Sequence, residues 1–148
     1  MALAAQDAND RAQQMISLSN RLTGLLLKET KLFLARTPQE AASFAEEKSQ
    51  LARIYRTETS RISRDPALLA SATAALKSDL RATTIKFNAA LESNHRATNA
   101  IRTITQGMVR SVATEVAKAR AAKTGYGANG TNNNTNRAMS AITLDQKV

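Results

Sequence analysis

The sequence predicts an all-α protein: an antiparallel helical hairpin followed by one long C-terminal helix, an elongated coiled-coil-like bundle with a flexible C-terminal tail. Three observations predict it. Apolar residues recur at spacings of three and four through most of residues 8–123, which is the signature of a helix with one buried face. Pro and Gly number only 2 and 5 in 148 residues, and three of the glycines follow residue 124. Aromatics make up 3% of the chain with no Trp, while Ala and Leu abound, so the helices pack through small and aliphatic side chains around a thin core.

The first helix is predicted over about 8–36, with Met15, Leu18, Leu22, Leu25, Leu26, Leu32 and Phe33 as its apolar stripe. It stops at Arg36-Thr37-Pro38, because a residue before proline is pushed out of the helical region and proline donates no backbone hydrogen bond. Thr37-Pro38-Gln39-Glu40 then reads as a capping box, with Thr37 as N-cap, Pro38 at the first helical position and Glu40 reaching back to the Thr37 amide. The second helix is predicted over about 38–62, with Phe44, Leu51, Ile54, Tyr55 and Ile62 inward. So short a junction favours antiparallel neighbours.

Asp65-Pro66 repeats the device, Asp65 capping a helix that starts at Pro66. From there to about Lys123 only Gly107 interrupts a near-heptad series running from Leu69 through Phe87 to Val116. A helix over 66–123 extends roughly 85 Å, against about 40 Å for each earlier helix. Part of its stripe therefore lacks a partner of equal length in the chain and is expected to meet another molecule. Asn94, Thr98 and Asn99 interrupt that stripe near its middle, either as solvent-facing or register-setting polar positions or as a hinge. Residues 1–123 thus read as one helical domain. The Gly- and Asn-rich stretch over 124–148 reads as a flexible tail.

Little chemistry is on offer. There is no Cys and a single His95, so disulfides, thiol nucleophiles and a His-rich metal site are excluded, and a reducing compartment is permitted. No glycine-rich phosphate loop, nucleophile elbow or zinc-protease motif appears. Glu46 and Glu47 are adjacent, and neighbouring helical residues point about 100° apart, so they form no convergent acid dyad. We expect no enzyme activity, no cofactor and no metal. No apolar run approaches the roughly 20 residues of a spanning helix, and no signal segment precedes the first helix, so a cytoplasmic location without stable membrane insertion is expected.

The net charge is +9, which favours acidic partners. The basic residues are scattered and interleaved with Glu, Asp or Thr, as around Arg53, Arg56, Glu58 and Arg61, so a solvated face is preferred to a nucleic-acid patch. Glu29 occupies an apolar position of the first stripe, and Lys48 lies at a comparable distance beyond the Thr37-Pro38 corner. In a hairpin the two either face each other, in an ion pair worth no more than about 1 kcal/mol if partly exposed, or extend outward independently.

Leu26, Glu29, Leu32 and Leu34, followed after a short break by Glu47-Lys48 and Leu51, resemble the LxxE helix and EKxxL helix of the FlgN-like flagellar export chaperones. Asn88, Asn94 and Asn99 on the long helix and the closing Tyr126 to Gly130 resemble that family's C-terminal Asn-rich stretch and Tyr…Gly signature. The similarity covers roughly residues 15–130. The basic charge and Ala-rich helices look like its alphaproteobacterial FlbY-type branch. The resemblance implies a cytoplasmic chaperone of flagellar type III export that binds hook-filament junction (hook-associated) proteins before secretion. It further implies that Ile101, Ile104, Met108, Val112 and Val116 line the client groove and that Tyr126 docks on the export gate. The strong positive charge and the Asn-rich extension beyond Gly130 depart from the family pattern.

Other classes make different predictions. A self-associating coiled-coil scaffold or regulator covers the stripe with its own copy and forms a homodimer. A nucleic-acid or anionic-membrane binder shows steep salt dependence, and the lack of stacking aromatics argues against it.

Overall fold

The computed structural model describes residues 2–125; Tyr126, Gly130 and the tail expected over 124–148 lie outside them, apart from the last turn of a helix. The regular elements are helical: α1 (Ala8–Leu34), a 3₁₀ turn (Pro38–Ala41), α2 (Ala42–Arg64), the single-turn α3 (Ala67–Ala70) and α4 (Ala74–Gly125). No strand occurs among the described residues. The chain divides into two compact units, Met1–Thr105 and Gln106 onward. Buried positions on α4 end at Ala97, within the first of these units.

In the first unit α1, α2 and the start of α4 form an up-down-up three-helix bundle. Arg21 pairs with Glu47 and Arg11 with Glu58, so α2 runs antiparallel to α1. Asn9 meets Thr73 while Glu29 meets Asn94, so α4 runs parallel to α1. The central core is Met15, Leu18, Leu22, Leu26, Phe87 and Ala90, with Leu51, Ile54, Tyr55, Ile62 and Leu80 packed against it. Tyr55 and Phe87 have ring centroids 4.6 Å apart at 47°, within the favourable range for tilted aromatic pairs. Ala8, Ala12 and Ala72 close one end with Leu69 and Leu76. Leu25, Ala41 and Phe44 close the other, where the Lys28 ammonium lies 4.9 Å from the centre of the Phe44 ring.

The first corner lies where the proline places it, but another device makes it. The Thr37 amide donates to the Leu32 carbonyl at 2.9 Å and the Arg36 amide to Phe33 at 3.1 Å, the paired bonds of a Schellman closure. Arg36 takes the left-handed conformation at φ 61°, where glycine is favoured. The capping box does not form, because the Thr37 N–H that Glu40 needed is already given to Leu32. The Thr37 hydroxyl also turns back to that carbonyl, at 3.4 Å, and Pro38 opens a 3₁₀ turn instead of α2. Arg36→Gly is expected to stabilise the fold by about 0.5–1 kcal/mol, since a left-handed non-glycine residue costs roughly 1–2 kcal/mol and part of that relief is offset by glycine's freedom in the unfolded chain. Equilibrium urea unfolding checks this; a neutral or lower midpoint contradicts it.

At the second corner Asp65 does cap, its Oδ1 accepting from the Ala67 amide at 3.2 Å, but the helix it starts lasts one turn. The expected helix from Pro66 is corrected: α4 begins at Ala74, behind Thr73. The Thr73 hydroxyl accepts from the Leu76 amide at 3.3 Å, and its own amide donates to Asn9 Oδ1 at 2.9 Å. The break over Ser71–Thr73 lets Leu69, Ala72 and Leu76 all reach the Ala8–Ala12 face of α1.

Candidate protein-binding site

Two buried polar nodes hold the three helices in register. In the first, the Lys48 ammonium of α2 donates to Glu29 Oε1 of α1 at 2.5 Å, and Asn94 Nδ2 of α4 donates to Glu29 Oε2 at 2.8 Å. Asn94 also lies 3.3 Å from the Thr30 hydroxyl and 3.4 Å from the Leu26 carbonyl. The side chains of Glu29 and Lys48 are 7% and 28% exposed, so the pair is better shielded than an ordinary surface bridge. Asn94 is buried and serves register rather than a hinge. A single slip along any of the helices would strand a buried charge or amide, each costing about 1–3 kcal/mol.

The second node was not read from the sequence. Glu58 of α2 is fully buried; its Oε2 accepts from the Arg11 guanidinium at 2.7 Å and its Oε1 from the Leu3 amide at 2.8 Å. The signal was present: Leu51, Tyr55, Glu58 and Ile62 follow one heptad seam, and Arg11 stands four residues before Met15 on the α1 stripe. The test that singled out Glu29, a charge in an apolar slot, applies equally to both.

Other motif residues serve the same scaffold. The Arg21 guanidinium donates to Glu47 Oε1 at 2.6 Å, and this hydrogen bond holds the Glu47 carboxyl below its ordinary range. Leu51 packs on the core, whereas Leu34 is 71% exposed. Asn88 and Asn99 are exposed, and Asn99 Nδ2 sits 3.2 Å from His95 Nε2. Thr37, Pro38, Asp65 and Pro66 build corners.

The residues expected to face a partner fall into two environments. Ile101 and Ile104, in the first unit, are half-buried. In the second unit every side chain from Gln106 to Thr124 is exposed. There Met108, Val112 and Val116 are 61%, 62% and 45% exposed, and Val109, which sequence reading passed over, 51%. Spaced by four, and by one and three, these residues share one face of the helix. Gly107 has no neighbouring atom within 4 Å of where a Cβ would stand, so no packing demands its small size. No helix among the described residues is long and apolar enough to cross a membrane.

This scaffold has a relative over its whole length. The chain is 43% identical over 148 residues, 99% of each chain, to the flagellar basal-body protein FlbY of Caulobacter vibrioides. It belongs to the FlbY family. No family model matches the chain, and no solved structure matches it.

Proposed function

We propose that this FlbY family member acts in flagellum assembly as a cytoplasmic, non-enzymatic export chaperone that holds hook-associated proteins before their secretion. The observation that carries the reading is the exposed apolar face of Met108, Val109, Val112 and Val116. An amphipathic terminal helix of a client laid on that face removes two apolar stripes from water at once, the helix-in-groove mode. Covering the client's helix keeps it from assembling early, and no nucleotide is required. Ile101 and Ile104 contribute less, being half-buried already. Membership of a family whose named relative is a flagellar basal-body protein supports the flagellar setting. The resemblance to FlgN-like chaperones supports the choice of client and the assignment of Tyr126 to the export gate.

The test is to co-express the full chain with hook-associated proteins of its own organism and measure complexes by size exclusion with light scattering. A one-to-one complex is expected, weakened at least about tenfold by Met108→Asp, since a carboxylate in an apolar seam loses well over the 1.4 kcal/mol of one decade in affinity. No complex with any such protein, together with a homodimer that Met108→Asp dissociates, would replace the chaperone with a self-associating scaffold or regulator.

A further inference from the structure

The outward face of the second half of α2 carries the densest positive charge left unexplained by the bundle. Arg53, Arg56, Thr57, Ser60, Arg61 and Arg64 are all exposed, and their spacing sets them on one side of the helix. In sequence Glu58 interleaves this run, but in the fold its carboxylate points inward, fully buried and closed by Arg11 and the Leu3 amide. Among the described residues its one further ion pair is with Arg61, at 3.9 Å. Four guanidiniums therefore share a face whose one neighbouring exposed acid is Asp65, at its C-terminal end. Arg56, Thr57, Ser60, Arg61 and Arg64, with Asp65 and Leu68, line an open hollow of about 640 Å³. Compensation of the helix dipole accounts for Arg61 and Arg64 in the last turn. That effect fades within one turn and leaves Arg53 and Arg56 without a role.

We propose that this hollow docks an acidic segment of a partner protein, with carboxylates on Arg56, Arg61 and Arg64 and an apolar side chain on Leu68. Guanidinium forks match carboxylates in paired hydrogen bonds, and the Ser60 hydroxyl offers a further donor, whereas that of Thr57 is given to the Arg53 carbonyl at 3.0 Å. Leu68 gives a phosphodiester backbone nothing to bind, and the lining residues include no aromatic on which bases stack; Asp65 disfavours any anion at its own end of the hollow, which leaves Arg56, Arg61 and Arg64 as the carboxylate positions. The face runs over twelve residues of helix from Arg53 to Arg64, about 17 Å, the reach of a short peptide. A second copy fits poorly. The acids at the other end of α2 are engaged, Glu47 by Arg21 and Glu46 by the Gln50 amide at 2.8 Å, and two chains of net charge +9 repel. The site is distinct from the Met108 face and independent of the client assigned to it.

Binding of a fluorescent amphipathic Glu/Leu peptide to the full chain tests this by anisotropy, beside its Lys/Leu counterpart, a 20-base-pair DNA duplex and phosphatidylglycerol vesicles. The variants are Arg56→Gln with Arg64→Gln and, as a control of equal charge change, Arg110→Gln with Arg120→Gln. The expected result is binding of the acidic peptide alone, weakened about tenfold or more by the first pair and less than about twofold by the control. Equal loss in both variants overturns the site in favour of net charge. Binding of DNA or vesicles, but not of the acidic peptide, that the first pair abolishes assigns the face to phosphates instead. A homodimer dissociated by the first pair assigns it to a second copy, and no binding of any probe overturns it outright.

Discussion

Glu58→Ala is expected to lower folding stability by about 3–5 kcal/mol, the usual result of removing one member of a buried ion pair. The carboxylate is fully buried, and the side chain of Arg11 is only 7% exposed. Truncating Glu58 leaves a guanidinium out of water with no counter-charge and the Leu3 amide without its acceptor. Against a total of about 5–15 kcal/mol for a domain, the variant sits close to unfolding at ordinary temperature. Arg11→Met with Glu58→Leu should recover most of the loss, because apolar replacement of both partners removes the desolvation along with the attraction. Equilibrium urea unfolding of the two singles and the double gives the coupling directly. A Glu58→Ala midpoint within about 0.5 kcal/mol of the parent would show that the node contributes little.

Phe87→Ala is the second large effect, about 3–5 kcal/mol. Phe87 is 7% exposed and stacks on Tyr55, while the other buried apolar residues of α4 are alanines. This ring is therefore the largest buried apolar side chain that attaches α4 to α1 and α2, with Leu76 and Leu80 partly buried beside it. Its loss opens a cavity that small neighbours do not fill, and amide exchange should rise over Ala74–Ala97 ahead of α1. Leu91→Ala, at a residue 46% exposed, is the matched comparison and should cost under about 1 kcal/mol. Equal losses in the two variants would contradict the packing described.

How far the sequence could be read follows from which interactions are local. The stripe of α1 and its spacing of three and four are properties of neighbouring residues, so the helix and its inward face are legible. The first corner is legible in place because Pro38 marks it, but not in mechanism, since the closure uses Arg36 in a left-handed conformation usually reserved for glycine. The break before α4 carries no proline or glycine. It depends on Asn9, sixty-four residues earlier, accepting from the Thr73 amide, and no local pattern contains that bond. Glu29 and Lys48 were matched by counting from one corner. For Asn94 the sequence leaves solvent exposure, register and hinge open, and three partners on α1 decide for register. Glu58 was read as one charge in a mixed run, which hid both the buried node and the unbroken arginine face outside it. Tyr126, which the resemblance implies docks on the export gate, and Gly130 of the same signature lie outside the described residues.

The claim that residues from Gln106 onward present a face for another protein is tested most directly by hydrogen exchange of the full chain, alone and with a hook-associated protein. The account predicts rapid exchange over Gln106–Gly125 in the free chain beside protected amides over Ala8–Leu34, and new protection around Met108–Val116 when the client is added. Protection of that segment already present in the free chain at concentrations where light scattering reports a monomer would contradict it, because the apolar face would then be covered by the chain itself.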